Sequence, residues 1–370
     1  MLLQGTDLVT DRGRRQVKLR AGPSKTTQPS GRLKRSQRMQ TWDSLQGAPQ
    51  VNLIHLLVKS RRLSKSDCPG ILVSTSPIQP SRTYMLEDDH AQDAALVLTP
   101  DRAGRRRISV YQPEQAGLIF PETPEFASVE DERTYRKQHL VAACRAFAMH
   151  GFDFGFAGHL TVRDPGRPEL YWTNPMCVHF SQVRMSNLIL ADHKGDVVEG
   201  KYAINRAGFV LHAAVHEEYP DVMAMCHAHT VYGTAWCATG RPLDMISQDA
   251  AAFYNSHAVI GASAGAVAVE KESGWTVAKE IGRNRGVLHQ NHGLLTTSQH
   301  SIDDAAFWFI ALERACQQQL LIEATGIKPQ LLSPRTAQYS REHVGSDYIG
   351  WLHFQTLYSH IAATQPDMFA

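Results

Sequence analysis

The stretch PDVMAMCHAHTVYG, residues 220–233, decides the fold, because an apolar run there ends on two histidines and then enters a turn. The run from Val222 to Cys226 predicts a buried strand, and His227 and His229 follow it with one residue between them. On a regular strand such a pair points to opposite faces of the sheet. At a strand end that enters a turn, both imidazoles can converge on one point, as a metal ion requires. The pair is therefore either part of a metal site or two hydrogen-bonded polar residues at the end of a strand.

A third imidazole ligand is predicted in LHQNHGLLT, residues 288–296, where His292 follows an apolar strand. The adjacent Gly293 has no side chain, so backbone and ligand can approach each other closely there. Three neutral imidazoles that leave one coordination position open are typical of a Lewis-acid site for zinc, iron or another divalent ion. Because the chain has 18 histidines, chance pairs of this spacing are common, and the structural interpretation of His227 and His229 stays open at this point.

Regular elements surround these two stretches from residue 128 onward. Ser128, followed by acidic residues, predicts the N-cap of a helix that ends near Gly151, and Ser301 with Asp304 predicts the capped start of another. The remaining predicted elements are strands at 160–164, 170–174, 188–192, 222–226, 286–291 and 293–297, a turn at 193–196, and helices at about 207–219, 230–239 and 302–324. Interleaved strands and helices predict one α/β domain over residues 121–330. Residues 331–370 are expected to form a C-terminal tail or helix that packs on this domain or on a neighbouring subunit.

Residues 1–120 have a different composition and predict a basic, largely disordered or irregular extension, with a strand at RRISVYQ, residues 106–112. Ten Lys and Arg residues fall between positions 12 and 38 with no acidic residue among them. No aromatic platform or nucleic-acid-binding fold motif accompanies this charge, so a solvated tail is expected. The net charge of the whole chain is only +2, and no apolar run approaches the roughly 20 residues that span a bilayer. The six cysteines lack CxxC spacing, which predicts reduced thiols in a cytoplasmic protein.

Together with three upstream blocks, the two histidine stretches resemble the class II aldolase/adducin family. The three upstream blocks are GFAGHLTVRDP (155–165), YWTNPMCVHFSQV (171–183) and LILADHKGDVVEGKYAINRAGFVLHAAVH (188–216). They stand in the family's order, and the resemblance covers roughly residues 128–325. The resemblance implies a three-layer α/β/α fold around a central, mainly antiparallel sheet, assembled as a tetramer with active sites at subunit interfaces. It also implies a divalent metal at the positions of His227, His229 and His292, with zinc expected first and iron, manganese or cobalt as alternatives. The blocks are closer to those of fungal and bacterial members than to those of the sugar-phosphate aldolases.

This chain departs from the sugar-phosphate aldolases at the positions that serve their chemistry. Their catalytic Glu lies four residues before the helix histidine that is His212 here, and the matching residue is Gly208, which has no proton to transfer. Their phosphate-binding loops correspond to residues 157–159 and 173–175, and Pro175 offers no amide to an oxyanion. A phosphorylated substrate is therefore not expected. We expect five residues to bind a carboxylate or an enol oxygen instead: His159, Thr173, Asn174, Asn205 and Arg206. For His159 and Arg206 a structural role is the alternative.

A different acid–base group is predicted in DMISQDAAAFYNSHAV, residues 244–259. In the related 4-epimerases and methylthioribulose-phosphate dehydratases, a catalytic acid stands at the position that resembles Asp249. A carboxylate in a half-desolvated site near a metal can have a raised pKa and can transfer a proton. Tyr254 lies on the same segment, and we expect it to act in catalysis by orienting the substrate. The alternative is that Asp249 caps the next helix, for which Asp is well suited.

The sequence thus predicts a metal-dependent lyase that acts on a small, non-phosphorylated oxo or hydroxy compound. Retro-aldol cleavage, decarboxylation and dehydration through a metal-stabilised enolate all fit this set of residues. Two alternatives remain. One is a non-haem Fe(II) oxygenase on the same fold, and the other is a non-enzymatic interaction module like the adducins, in which the metal-binding histidine motif is not kept. The predicted protein is a cytoplasmic homotetramer with a small-molecule substrate and no nucleic-acid or membrane partner. A C-terminal tyrosine, Tyr348 or Tyr358, either packs within its own subunit or completes a neighbouring site.

Overall fold

The computed structural model describes residues 108–261 and 271–370, so most of the predicted N-terminal extension lies outside the described residues. The helices, in chain order, are α1 (Val129–Met149), α2 (Arg206–Glu218), α3 (Val231–Cys237), α4 (Gln248–Ala251), α5 (Lys271–Ile281), α6 (Ile302–Ala324), α7 (Pro334–Val344) and α8 (Asp347–Thr364). The strands are β1 (Gly158–Arg163), β2 (Tyr171–Thr173), β3 (Ile189–Ala191), β4 (Val197–Glu199), β5 (Ala224–Ala228), β6 (His257–Ile260), β7 (Gly286–His289) and β8 (Gly293–Ser298). Strands and helices are interleaved along the chain, and the predicted α/β class is confirmed.

The strands of the described part form one sheet in the order β4-β3-β2-β1-β5-β8-β7-β6. Neighbouring strands are antiparallel except β6 and β7, which run parallel at one edge. At the centre, β5 pairs His227 with His159 of β1 on one side and with Leu295 of β8 on the other. The expectation of a mainly antiparallel sheet is therefore confirmed, and the parallel pair makes the sheet mixed.

Side chains of the central strands alternate between two apolar cores, one on each face of the sheet. On β5, Ala224, Cys226 and Ala228 pack into a core shared with α1 and α6, whereas Met225 packs on the opposite face with α2 and α5. The sheet thus lies between two layers of helices, as the family resemblance implies. The same alternation places His227 on the α2 face, where the candidate site lies.

The long helices begin at their predicted caps, because the capping signals are local. The Ser128 hydroxyl accepts a hydrogen bond from the Asp131 amide at 3.1 Å at the start of α1. Ser301 and Asp304 form a reciprocal capping box at the start of α6. At the other end of the chain, α8 packs against α1 and α6.

Several predicted boundaries differ from the structure. β5 continues to Ala228 because both of its neighbours pair with it that far, so His227 lies inside the strand rather than after it. The strand predicted at residues 106–112 is not formed, since residues 108–112 make bends and turns. β4, β6, α5 and α7 were not predicted. Among the helices that the structure describes, none is long and apolar enough to cross a bilayer.

Candidate metal centre

β5 and the turn between β7 and β8 bring three histidines together. One ring nitrogen each of His227, His229 and His292 lies within 4.8 Å of the others, and the ring centroids are 4.9–5.1 Å apart. His227 is only 3% exposed, whereas His229 and His292 are half-buried. The three residues predicted as ligands therefore form one cluster that is open to solvent on one side.

The hydrogen bonding and charge of these rings fit a divalent metal. His227 Nδ1 lies 2.8 Å from the Leu294 carbonyl oxygen, so Nδ1 carries the proton and Nε2 is left to bind an ion. Burial, with the neighbouring His159, His292 and His229, lowers the pKa of His227 well below its ordinary value. Burial also lowers the pKa of His229, and burial with His289 and His229 lowers the pKa of His292 to about 4. All three rings are neutral at pH 7, which is the form that binds a metal.

A tight turn holds His292 in place. The His292 amide donates to the His289 carbonyl at 3.0 Å, and Asn291 has a φ of 58°, a left-handed conformation that Asn tolerates better than most residues. A Cβ on Gly293 would lie 3.3 Å from the Ala228 carbonyl oxygen and 3.6 Å from His227 Cε1. Glycine at position 293 therefore allows the turn to approach β5 closely.

Glu313 supports the loop that carries His229, and sequence reasoning missed it. Its carboxylate, in the middle of α6, accepts hydrogen bonds from the Tyr232 amide at 2.9 Å, the Gly233 amide at 2.6 Å and the Thr230 hydroxyl at 2.5 Å. These donors lie at the start of α3, where backbone N–H groups have no partner within the helix. Burial raises the pKa of Glu313. A lone acidic residue within the apolar stretch of α6 was the signal that could have identified it.

His159 lies next to the three histidines and occupies the space above Gly208. Its ring is 4.9 Å from the ring of His227 and 4.3 Å from that of His212. A Cβ built on Gly208 would lie 2.3 Å from His159 Cε1 and 2.5 Å from its Nδ1, so any side chain at position 208 would collide with the imidazole. His159 is 7% exposed, and neither of its ring nitrogens has a hydrogen-bond partner in the described part of the chain. The imidazole thus fills the volume beside the candidate metal site that a side chain at position 208 would need.

His212 and His216 stay outside the three-histidine cluster. Thr161 Oγ1 lies 2.9 Å from His212 Nδ1 and 2.9 Å from His216 Nε2, and burial lowers the pKa of His216 to about 3, with Arg163 adding to the effect. Both rings therefore serve as neutral, hydrogen-bonded residues between α2 and β1.

The other residues predicted to bind substrate lie around the start of α2 and of β1. Thr173 is buried, and the Asn174 side chain accepts from the Leu160 amide at 3.0 Å. Asn205 is the N-cap of α2, and its amide donates to the Phe156 carbonyl at 3.2 Å. Arg206 is exposed at the first turn of α2. The structure therefore brings His159 to the three histidines, gives Asn174 and Asn205 backbone partners, and leaves Arg206 facing solvent.

Asp249 and Tyr254 lie in α4 and in the turn after it. The Asp249 carboxylate accepts from Arg314 Nε at 3.0 Å and from Gln318 Nε2 at 2.8 Å. Asp249 lies in the first turn of α4, but the N-cap of this helix is Ser247. Tyr254 is half-buried in the turn that follows α4. Of the hydrogen bonds that the described residues make with Asp249, none comes from His227, His229 or His292.

An open cavity of about 690 Å³ lies beside His229 and is lined in part by Asp153, Phe154, Thr230 and Val231. Phe154 is 75% exposed and Val231 is 77% exposed. These two exposed apolar side chains therefore form part of the cavity wall next to His229.

Known proteins resemble this chain over most of the described part. The family described as Class II Aldolase and Adducin N-terminal domain matches residues 138–320. Decarboxylase NovR of Streptomyces niveus is 38% identical over 251 residues, which cover 67% of this chain and 92% of that protein. The 4-hydroxy-3-prenylphenylpyruvate oxygenase/4-hydroxy-3-prenylbenzoate synthase of Streptomyces roseochromogenus subsp. oscitans is 36% identical over 253 residues, covering 68% and 90%. The solved structure of L-fuculose 1-phosphate aldolase from Glaciozyma antarctica PI12 superposes with a TM-score of 0.62 at 36% identity, covering 67% of this chain and 96% of that one. The chain belongs to the class II aldolase/adducin family.

Proposed function

We propose that this protein is a metal-dependent lyase that acts on a small, non-phosphorylated oxo or hydroxy compound. The observation that carries the proposal is a neutral donor set of three histidines beside a buried imidazole that takes the space of any side chain at position 208. Two similar proteins are named a decarboxylase and an aldolase, which supports a lyase-type reaction. We propose zinc as the ion, with iron, manganese or cobalt as alternatives.

The position of each residue suggests its role. His227, His229 and His292 would hold the ion, which when bound supplies Lewis-acid stabilisation of negative charge on a substrate oxygen. His159, buried with unpaired ring nitrogens, would form a hydrogen bond to a substrate oxygen. Arg206, exposed at the start of α2, would bind a substrate carboxylate.

Three residues would support the substrate-binding residues. Thr173 and Asn174 would hold the start of β1, to which Asn174 is hydrogen-bonded. Asn205, as the cap of α2, would fix the helix start from which Arg206 projects.

We propose a cytoplasmic homotetramer in which a neighbouring subunit completes the site. The exposed Phe154, Phe156 and Val231 around the centre support burial of this surface by a second copy or by an apolar substrate body. Asp249, whose side chain is 43% exposed, would then move protons at the centre of an adjacent subunit, and Tyr254 would orient the substrate there. The free thiols of the described cysteines support a reducing compartment.

Metal content tests the proposal first. Purified wild-type protein should contain close to one divalent ion per chain, and His292→Ala should lose it together with thermal stability. His360→Ala is the matched control, because His360 is an exposed histidine on α8. A wild-type protein without stoichiometric metal, whose stability is unchanged by His292→Ala, would rule out the enzyme and favour an interaction module.

A substrate panel tests the reaction class. Aryl-substituted β-oxo acids should yield carbon dioxide and aryl-substituted β-hydroxy carbonyl compounds a smaller carbonyl product, because both cleavages leave an enolate, and L-fuculose 1-phosphate should not be cleaved. Turnover of the sugar phosphate at a comparable rate would contradict the proposed non-phosphorylated substrate.

Subunit complementation tests the role of Asp249. Asp249→Asn and His292→Ala homo-oligomers should each be inactive, and activity should return when the two are mixed after subunit exchange. Without shared sites, mixing would restore nothing, and loss of metal from Asp249→Asn would mean that Asp249 acts as a ligand.

A non-haem Fe(II) oxygenase is the second candidate, because a protein 36% identical to this chain is named an oxygenase and three imidazoles suit Fe(II). Oxygen uptake coupled to arylpyruvate turnover, with iron reconstituted in place of zinc, would favour this activity. Turnover that proceeds equally without oxygen would favour the lyase.

A further inference from the structure

A second cavity, of about 470 Å³, lies between α1, the start of α6 and the start of α8. It lies at the opposite end of the central strands from the three histidines. Val162 lines it near the end of β1 and pairs with Ala224, whereas the histidine end of the same ladder is the pair of Gly158 with Ala228. Four residues of strand separate the two ends, which corresponds to roughly 13 Å. The cavity is therefore distinct from the candidate metal centre, and its volume is typical of small-molecule sites.

A carboxylate with one unused oxygen borders this cavity. Asp303, near the start of α6, is 0% exposed. Its Oδ1 lies 2.5 Å from His139 Nδ1 and accepts from Gln355 Nε2 at 3.1 Å. Its Oδ2 is buried and has no hydrogen-bond partner among the residues that the structure describes. A buried carboxylate oxygen left without a donor is costly, so a ligand that supplies a donor there would be stabilised.

The other charged groups that line the cavity are already paired. Glu132 forms an ion pair with Arg136 one turn along α1. Asp347 is paired with Arg285 and lies 3.0 Å from His300 Nε2. Among the charged groups that the structure describes around the cavity, Asp303 is therefore the carboxylate with an unpaired oxygen.

The field of Asp303 acts on two neighbouring phenols. Burial raises the pKa of Tyr135 and of Tyr358, and the charge of Asp303 raises each further. This negative charge favours a cation placed beside Asp303 over an anion.

Aromatic rings line this cavity together with Asp303. Phe126 lies 5.2 Å from the ring of Tyr135, and Tyr348 lies 5.6 Å from that of Trp351. Trp351 Nε1 donates to the Tyr135 hydroxyl at 3.2 Å, which holds the two rings in register. Aromatic faces beside a carboxylate attract organic cations through cation–π interactions.

We propose that this cavity is a second ligand site that binds a small organic monocation, a primary ammonium on an aromatic or alkyl body. The ammonium donates to Asp303 Oδ2, and the body lies against Phe126, Tyr135 and Trp351. A neutral alcohol of the same shape donates a weaker, uncharged hydrogen bond to Asp303. A carboxylate is repelled by the negative charge of Asp303.

Calorimetric titration of the full-length protein with three matched probes tests this site: 2-phenylethylamine, 2-phenylethanol and phenylacetate. The amine should bind in the millimolar to sub-millimolar range expected of a ligand this small. The alcohol should bind about tenfold or more weakly, as expected when a charge-assisted hydrogen bond is lost, and phenylacetate should not bind. Equal binding of amine and alcohol, or no binding of the amine, overturns the proposal.

Two variants assign the binding to the cavity. Asp303→Asn, which keeps the shape of the side chain, should weaken the amine about tenfold or more, and the exposed Asp196→Asn should have no effect. Phe126→Ala, at the partly exposed mouth of the cavity, should weaken the amine several-fold. Phe126→Ala decides the outcome if Asp303→Asn does not fold. Amine affinity that is unchanged in these variants, or abolished by His292→Ala instead, places the binding elsewhere and overturns the proposal.

Discussion

Replacing Gly208 by alanine would drive a methyl group into the imidazole of His159. The added Cβ would lie 2.3 Å from Cε1, 2.5 Å from Nδ1 and 2.8 Å from Nε2 of that ring. The ring cannot easily move away, because His212 and His227 lie on its other sides at centroid distances of 4.3 Å and 4.9 Å. We therefore expect the two positions to be strongly coupled.

Two opposing effects set the sign of the change. Overpacking a buried site costs about 1–3 kcal/mol, whereas alanine in place of glycine within a helix gains about 0.5–1 kcal/mol. Gly208 is the third residue of α2, so both effects apply to it. The overpacking cost is the larger of the two and sets the sign. Gly208→Ala should lower the free energy of unfolding by about 1–2 kcal/mol in the wild type. In a His159→Ala background the same substitution should raise it by up to about 1 kcal/mol, because the clash has been removed.

Urea unfolding of the four proteins, followed by circular dichroism, measures the coupling as a double-mutant cycle. Ala207→Gly, at the exposed neighbouring position of α2, is the matched control, and its effect should be the same in both backgrounds. If Gly208→Ala changes stability by the same amount and sign in both backgrounds, His159 does not occupy the space above Gly208 and this reasoning is refuted.

Two further predictions concern carboxylates away from the histidine rings. Burial raises the pKa of Asp164, but hydrogen bonds led by that of Arg133 outweigh it and hold the pKa at about 2. The folded-state pKa is thus below the unfolded value, so about 2 kcal/mol of stability should be present above pH 4 and lost towards pH 2. Urea titrations at several pH values should show this loss in the wild type; a parallel profile in Asp164→Asn would contradict it. Glu313→Gln should weaken metal binding about tenfold or more and destabilise the fold by about 1–3 kcal/mol, measured by competition with a chelator and by unfolding; unchanged metal affinity would mean that Glu313 does not position His229.

The sequence predicted best those features whose cause is local. Ser128 and Ser301 cap their helices through residues three positions away, so the pattern was complete within one turn. The convergence of the three histidines was also predictable, because His227 and His292 each lie on or beside a recognisable strand; their role as metal ligands stays a prediction. The end of β5 was misplaced, since it depends on pairing with β1 and β8, which are distant in sequence.

Features that depend on contacts between distant segments could not be predicted. β4 is three exposed residues long, and its two consecutive valines show no alternation of buried and exposed side chains. The contact of His159 with Gly208 joins two residues on different elements. From the sequence, Gly208 was known only as the residue at the position of the aldolases' catalytic Glu, whereas the structure shows that His159 leaves no room for a side chain there. The hydrogen bonds of Glu313 likewise link the middle of α6 to the start of α3.

The histidines of the candidate centre lie on or beside β5 and β8, which are neighbours in the sheet but far apart along the chain. His227 lies on β5, and His292 follows about 65 positions later at the entrance to β8. Such pairing carries a loop-closure cost that is met late in folding, so the three nitrogens converge only once the sheet centre has formed. An ion held there would stabilise the native state but not the transition state for folding. It would therefore slow unfolding and leave the refolding rate nearly unchanged.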